Sequence, residues 1–397
     1  MKILLVHNAY KEGGGEDVVV AQEHRLLESR GHQVVAYHRS NWETETNSII
    51  GRLHWAARAV WSRQAHGEIA KLLHETRPDL VHVHNTFLVI SPSIYSACNQ
   101  AGVPVVQTLH NYRLLCPAAN CFRSGHICEE CLRQGVWHGV RHACYRSSRT
   151  ATAVAASMLT FHRTRGTWAK EVDCYIALTQ FARGKFIQAG IPAEKIRVKP
   201  NFLDPDPGLR TDCETWVVCV GRLSTEKGAE TLLAAWRHLP KDIRLRVIGD
   251  GPCRHSMASA AKESGLSIDF EGRLEQGQTI QVMKGARFVV FPSRLYENFP
   301  MTILQAFACG VPLIASDMPS VREIVQDGRT GLLFRPGDAT DLAQKVFWAW
   351  NHPIQMKRLA ESARAEFCAK YTASCNYQAL MDIYQEASRR AVCVAAA

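Results

Sequence analysis

Short apolar runs alternate with amphipathic stretches along the first half of the chain. Lys2–His7, Gln33–His38, Leu80–His84, Pro104–His110, Cys174–Thr179 and Arg197–Lys199 have the composition and length of buried strands. Between the first two, Asp17–Ser29 repeats apolar residues at helical spacing and ends at Gly31, a helix-cap residue. Strands alternating with helices predict a doubly wound parallel sheet. The rhythm breaks at Asn201–Thr211, where proline, aspartate and glycine cluster. It then restarts with Trp216–Gly221, Arg244–Gly249, Ile268–Glu271, Phe288–Pro292, Pro312–Ser316 and Gly331–Phe334. Helical stretches such as Gly228–His238 and Ala339–Trp350 separate these runs.

The predicted fold class is α/β, with two Rossmann-like parallel-sheet domains. The first spans 1–203 with a cysteine-rich insertion at 116–144. A linker occupies 204–213, a second domain 214–375, and a helical tail 376–397. A ligand is expected where the strand ends of both halves face a cleft.

Length and charge narrow the picture. A chain of 397 residues fits two domains of roughly 150–200 residues each. Lys and Arg number 47 against 37 Asp and Glu, a difference of +10. That excess favours polyanionic partners such as a nucleotide diphosphate or an anionic membrane surface. The positive charges are scattered with no long run of one sign, which argues against nucleic acid. The first apolar run is too short for a signal-peptide core, so a cytoplasmic protein with reduced thiols is expected. Ala151–Trp168, apolar with Arg163 and Arg165, reads either as a peripheral membrane contact or as a buried helix.

Candidate chemistry sits after the strands. Gly13-Gly14-Gly15 follows the first strand and opens the first helix. It suits either backbone approach to an anion or a turn capped by Asp17. Gly221-Arg222-Leu223-Ser224-Thr225-Glu226-Lys227-Gly228 places two cations after the first strand of the second half, where they can clamp a diphosphate or join surface salt bridges. Glu297 lies in a loop after a buried strand, and the helix that follows points its positive end at the same place. His110 ends the fourth strand, positioned to donate to a sugar hydroxyl or face a reacting centre. In the insertion, Cys116, Cys128, Cys131 and Cys144 have the types and approximate spacing of a tetrahedral zinc site. Cys121, His126, His138 and His142 stand nearby, and free thiols packed under a loop are the alternative.

Together these motifs resemble the retaining glycosyltransferases of family 4, the group 1 glycosyltransferases with the GT-B fold. The resemblance covers nearly the whole chain. It rests on the glycine turn, on the Gly221–Gly228 stretch, and on the family's E-x7-E signature, here Glu297 to Gln305 followed by Ala306-Phe307-Ala308-Cys309-Gly310-Val311-Pro312. It implies transfer of a hexose from a nucleotide diphosphate sugar to a saccharide or lipid-linked acceptor, in cell-surface polysaccharide or glycolipid synthesis. It further implies that Arg222 and Lys227 bind the diphosphate and stabilise the leaving group. Glu297 would hold the sugar hydroxyls. The N–H groups of Asn298 and Phe299 would hold sugar or phosphate, Gly14 and Gly15 would approach the diphosphate, and His110 would contact the sugar. No cofactor is expected in catalysis, and any zinc would be structural. One departure stands out: the second glutamate of the signature is Gln305, which weakens the bonds expected to the nucleotide ribose. A non-catalytic sugar-nucleotide-binding or scaffold protein, and another two-Rossmann enzyme such as an epimerase or phosphorylase, are the competing readings.

Overall fold

The computed structural model describes residues 1–11, 13–210 and 215–395. Residues 211–213 of the expected linker and 396–397 of the expected tail lie outside them. The chain forms two compact units. The first comprises 1–121, 128–201 and 376–397; the second comprises 122–127 and 202–375.

The first unit is built on a six-stranded sheet of β1 (Lys2–Ala9), β2 (Gln33–Ser40), β3 (Leu80–Asn85) and β4 (Val105–Thr108), with β7 (Cys174–Ala177) and β8 (Ile196–Val198). A small antiparallel hairpin, β5 (Phe122–Arg123) and β6 (His126–Ile127), lies between β4 and β7 in the chain. The order is β2-β1-β3-β4-β7-β8, with every neighbouring pair parallel. The interior of β1 and all of β3, β4 and β7 are buried, so these strands read as continuous apolar runs rather than alternating ones.

The second unit repeats the plan with β9 (Trp216–Val220), β10 (Arg244–Ile248), β11 (Ile268–Gly272), β12 (Phe288–Phe291), β13 (Leu313–Ser316) and β14 (Leu332–Phe334). Its order is β11-β10-β9-β12-β13-β14, again parallel throughout. A core of Val217, Leu232, Trp236, Leu245, Phe288, Ile314 and Phe334 packs the helix Ala229–Trp236 and its neighbours onto one face.

Each sheet has one place where successive strands change direction of growth. In the first unit it lies between β1 and β3; in the second, between β9 and β12. Crossover loops diverge there at the C-terminal strand ends and leave a crevice for a ligand.

Two boundaries differ from expectation. The hairpin 122–127, expected in the first domain with the rest of the insertion, groups with the second unit. There Arg294 Nη2 donates to the Gly125 carbonyl and its guanidinium stands over the Phe122 ring. The tail is not separate either. The helix Ala373–Ala395 belongs to the first unit from Asn376 onward. Tyr384 OH lies 2.8 Å from His82 Nδ1 in the core, and Asn376 Nδ2 donates to Pro200 O.

Candidate functional site

In the second unit, the residues read from the sequence converge on the β9/β12 divergence. After β9 the chain turns through Gly221 and Arg222, makes one short helical turn at Thr225–Lys227, and enters Ala229–Trp236 through Gly228. Only glycine fits at 228, because φ is +79° and a Cβ would lie 2.0 Å from the Pro292 carbonyl oxygen after β12. This close approach brings the two turns together. Arg294 N–H donates to Glu226 O at 2.9 Å, reinforcing the join.

The consequence is an ion pair at the strand ends. Lys227 Nζ lies 2.6 Å from Glu297 Oε1, and Ser293 Oγ donates to the same oxygen at 2.5 Å. Glu297 is buried, whereas Lys227 is partly exposed. Arg222 is exposed on the same turn. The carboxylate is therefore fixed in place by two donors, while the two cations keep access to solvent.

Asn298 and Phe299 follow, both buried, and Phe299 packs edge-on against Tyr371 at 5.5 Å. The helix Met301–Cys309 then starts with no side-chain cap, leaving its first N–H groups directed at the loop of Glu297. Gln305 is one turn in from the start. It shares a helical face with Thr302, whose hydroxyl reaches the Val220 carbonyl at the end of β9. Gln305 itself is half-buried.

In the first unit, the glycine turn follows β1. Gly14 N–H donates to Asp17 Oδ2 at 2.7 Å, and His7 Nε2 lies 2.8 Å from Asp17 Oδ1. Burial raises the Asp17 carboxyl, but these partners together hold it below the usual range. Asp17 is thus the helix cap anticipated for this turn. Gly14 has φ −137°, and a Cβ there would meet nothing within 4 Å, so the protein's own packing does not require glycine. Beside it Glu16 is buried against Asn111 and Tyr10; burial, then Asp17, pushes its carboxyl up to about 8.

His110 follows β4, and its Nε2 lies 2.9 Å from His84 Nδ1 at the end of β3. Behind His84 the core carries Glu23 on the first helix, with Oε2 3.4 Å from His84 Nε2, and Lys199 Nζ 2.6 Å from Glu23 Oε1. Burial drives His82, His84 and His110 well below the ordinary histidine range, His82 to about 4, so all three are neutral near pH 7. A neutral pair can share only one proton in its hydrogen bond. Glu23 Oε2 and His84 Nε2, though 3.4 Å apart, make no hydrogen bond with each other.

Glu23, His82 and His84 lie within metal-binding distance of one another. The ammonium of Lys199 already neutralises Glu23, and Tyr384 and Thr108 occupy both nitrogens of His82. Most ligand atoms of this set are therefore already engaged by the protein's own groups. The sequence reading missed Glu23, His84 and Lys199. A histidine at the C-terminal end of three successive central strands, His7, His84 and His110, was the available signal.

In the cysteine-rich insertion, Cys116, Cys121 and Cys131 are buried while Cys128 and Cys144 are partly exposed, and the expected set Cys116, Cys128, Cys131 and Cys144 is not among the groups of described residues whose ligand atoms lie within 4.8 Å of one another. The Cys128 N–H donates to Cys121 O at 2.8 Å, which closes the hairpin between them.

With this geometry established, comparison with known proteins becomes specific. The family Glycosyl transferases group 1 matches residues 206–366, and Glycosyltransferase Family 4 matches residues 13–207. The chain belongs to the group 1 glycosyltransferases. Among curated members, the alpha-D-kanosaminyltransferase of Streptomyces kanamyceticus is 29% identical over 237 residues, 55% of this chain and 61% of that relative. The chain spans about half the length of the curated relatives it matches. The structure of Anabaena HepE in complex with UDP and glucose superposes with a TM-score of 0.66 at 19% identity, covering 96% of this chain and 99% of that one. Sucrose-phosphate synthase from Thermosynechococcus elongatus gives 0.72 at 18% identity, covering 97% and 98%. These two likenesses establish the GT-B fold of this group 1 glycosyltransferase and go no further.

Proposed function

We propose that this chain transfers a hexose from a nucleoside diphosphate sugar to an acceptor hydroxyl with retention at the anomeric carbon. The observation that carries the reading is the Lys227–Glu297 pair at the β9/β12 divergence, with Arg222 exposed beside it. Lys227 and Arg222 hold the diphosphate, and Glu297 accepts from the sugar hydroxyls. The uncapped helix start near Asn298 and Phe299 adds N–H donors, and Gln305 accepts from the ribose. In the first unit, His110 is assigned to the sugar, and Gly14 and Gly15 to the diphosphate, because nothing in the protein itself fills the space at Gly14. HepE, crystallised with UDP and glucose, supports a donor of this class.

In the reaction the bond from C1 to the phosphate oxygen breaks as the bond from C1 to the acceptor oxygen forms on the same face. The departing phosphate takes the acceptor's proton. Arg222 and Lys227 offset the charge that develops on it, which lowers the barrier without a protein nucleophile.

A saccharide or lipid-linked acceptor at an anionic membrane surface fits the basic balance. The surface best suited to it is not Ala151–Trp168. The helix Arg149–Arg165 buries Ala155, Ala156, Met158, Leu159 and His162. Instead, the helix Ile49–Val60 exposes Ile49, Ile50 and Leu53 beside Arg52, with Trp42 exposed nearby in sequence. No described helix is long and apolar enough to cross a membrane. Co-sedimentation with anionic vesicles, lost in Ile50→Asp, is the expected result; equal binding by both proteins would remove this surface.

The test of function is a thermal-shift and turnover screen against nucleoside diphosphate sugars. A ligand bound only by the folded state raises Tm by mass action. One sugar nucleotide should shift Tm and turn over, with both effects lost in Arg222→Ala. Binding without turnover across many acceptors would favour the non-catalytic reading instead.

A further inference from the structure

The first unit holds a cavity of about 650 Å³ that the candidate site residues do not line. Its walls are Lys11 from the turn after β1, residues Thr44, Glu45, Thr46 and Asn47 beyond β2, and Arg146 from the insertion. All six belong to one compact unit. The cavity lies on the side of the sheet where β1 and β2 end, the side on which parallel sheets take ligands.

The lining carries two cations against one carboxylate. Lys11 Nζ lies 2.6 Å from Glu45 Oε1 and 5.0 Å from the centre of the Trp42 ring. The Glu45 side chain is 59% exposed, so this pair is solvated and weak. Arg146 stands over the Tyr145 ring at 5.3 Å, and among the described residues no carboxylate pairs with it. Tyr145 is itself held in place. Arg113 lies over the same ring at 4.7 Å, Phe87 meets it edge-on at 5.7 Å, and its N–H donates to Thr152 Oγ1 at 2.9 Å. Thr46 Oγ1 accepts from the Ser48 N–H at 3.2 Å and keeps its own proton to donate. Asn47 adds an exposed amide. Guanidinium, ammonium, hydroxyl and amide donors around one space suit a phosphate.

The neighbourhood of the cavity narrows the source of that phosphate. Asn47 leads directly into Ser48, the cap of the helix Ile49–Val60. Ile49, Ile50 and Leu53 on that helix are exposed, as is Trp42, over which Lys11 lies. Exposed apolar side chains beside a cationic pocket match the boundary between lipid tails and headgroups.

We propose that this cavity binds the phosphate of an anionic phospholipid headgroup, held by Lys11 and Arg146 while Ile49, Ile50 and Leu53 meet the lipid. This site rests on the membrane contact proposed above and adds the chemical group that is recognised there. On binding, the phosphate takes the place of Glu45 at Lys11.

The experiment is co-sedimentation of the full chain with three vesicles: phosphatidylcholine alone, with phosphatidic acid, and with oleate at the same surface charge. Phosphatidic acid vesicles should bind tightest. Lys11→Gln and Arg146→Gln should each weaken that binding by about fivefold and bring it to the level of oleate. Lys71→Gln removes the same charge from a side chain that is 73% exposed elsewhere, and should keep the preference. Ile50→Asp should weaken binding to every vesicle. A second arm needs no membrane and so separates the pocket from the membrane contact. Dihexanoyl phosphatidic acid, kept below micelle formation, should raise Tm in the wild type and not in Arg146→Gln. Equal binding to phosphatidic acid and oleate, or an equal loss in Lys71→Gln, would overturn the site. Inorganic phosphate that raises Tm as much as the short-chain lipid does would overturn the lipid source. Failure of the transferase reading shows separately, in a wild type whose Tm no sugar nucleotide shifts.

Discussion

Lys227 Nζ and Glu297 Oε1 lie 2.6 Å apart, although 70 residues separate them in the chain. The pair joins the turn after β9 to the loop after β12. Because Lys227 is partly exposed, the pair contributes little to folding, at most about 1 kcal/mol. Its value is in placing a buried carboxylate beside a partly exposed cation. Glu297→Gln keeps the shape and removes the charge. The expected outcome is a fall in kcat of roughly a hundredfold with Tm nearly unchanged. Steady-state kinetics beside a thermal melt check it, and an unaltered kcat would remove Glu297 from the site.

Gln305 tests the nucleotide end. A neutral amide accepts a weaker hydrogen bond than a carboxylate, a difference of about 1–2 kcal/mol. Gln305→Glu should therefore tighten donor binding by roughly tenfold. Titration calorimetry with the donor found in the screen measures this directly. Unchanged affinity would mean that Gln305 does not touch the ribose.

Glu16 gives stability a slope with pH. Its folded carboxyl is raised to about 8 by burial and by Asp17, so the folded state holds a proton that the unfolded chain gives up above about 4.5. The stabilisation is present below that pH and is lost as pH rises toward 8. His82 acts in the opposite sense. Held down to about 4 by burial, it contributes stability above pH 6.5 that is lost as pH falls toward 4. Urea midpoints should decline from pH 6 to pH 9 in the wild type and less steeply in Glu16→Gln. Parallel declines in the two proteins would exclude Glu16 as the source.

Lys199 and Glu23 form a pair in which both side chains are 1% exposed. Removing one member strands a charge in the core, at a cost of about 3–5 kcal/mol. Lys199→Met should be that destabilised in urea unfolding. Adding Glu23→Leu should recover most of the loss, because two apolar residues restore a neutral core. A double mutant no better than the single would show that the pair is not coupled. If the histidine chain depends on Glu23, the stable double mutant should also show an altered pH profile of kcat.

Much of this was legible in the chain. Every expected strand is present with its ends moved by a residue or two, and the central ones, buried on both faces, announce themselves as unbroken apolar runs. The placement of Arg222, Lys227 and Glu297 just after β9 and β12 was legible, because the strands that precede them are unbroken apolar runs. Contacts between distant segments were not. Nothing local pairs Glu23 with Lys199 across 176 residues, nor His82 with Tyr384 across 302. Burial within the insertion was not legible from spacing either: Cys121 is buried while Cys128 is partly exposed. The Ala151–Trp168 stretch was ambiguous because one apolar face suits a membrane and a core equally.

The last helix has a consequence for how the protein is made. Tyr384 closes onto His82, Arg197 pairs with Glu386, and Asn376 holds Pro200, so the first unit takes a wall from the final residues of the chain. During translation that unit must wait, incomplete, while the whole of the second emerges from the ribosome. Recombination obeys the same constraint: a chimera that exchanges 202–375 preserves the first unit, whereas a single crossover at residue 201 gives it a foreign closing helix.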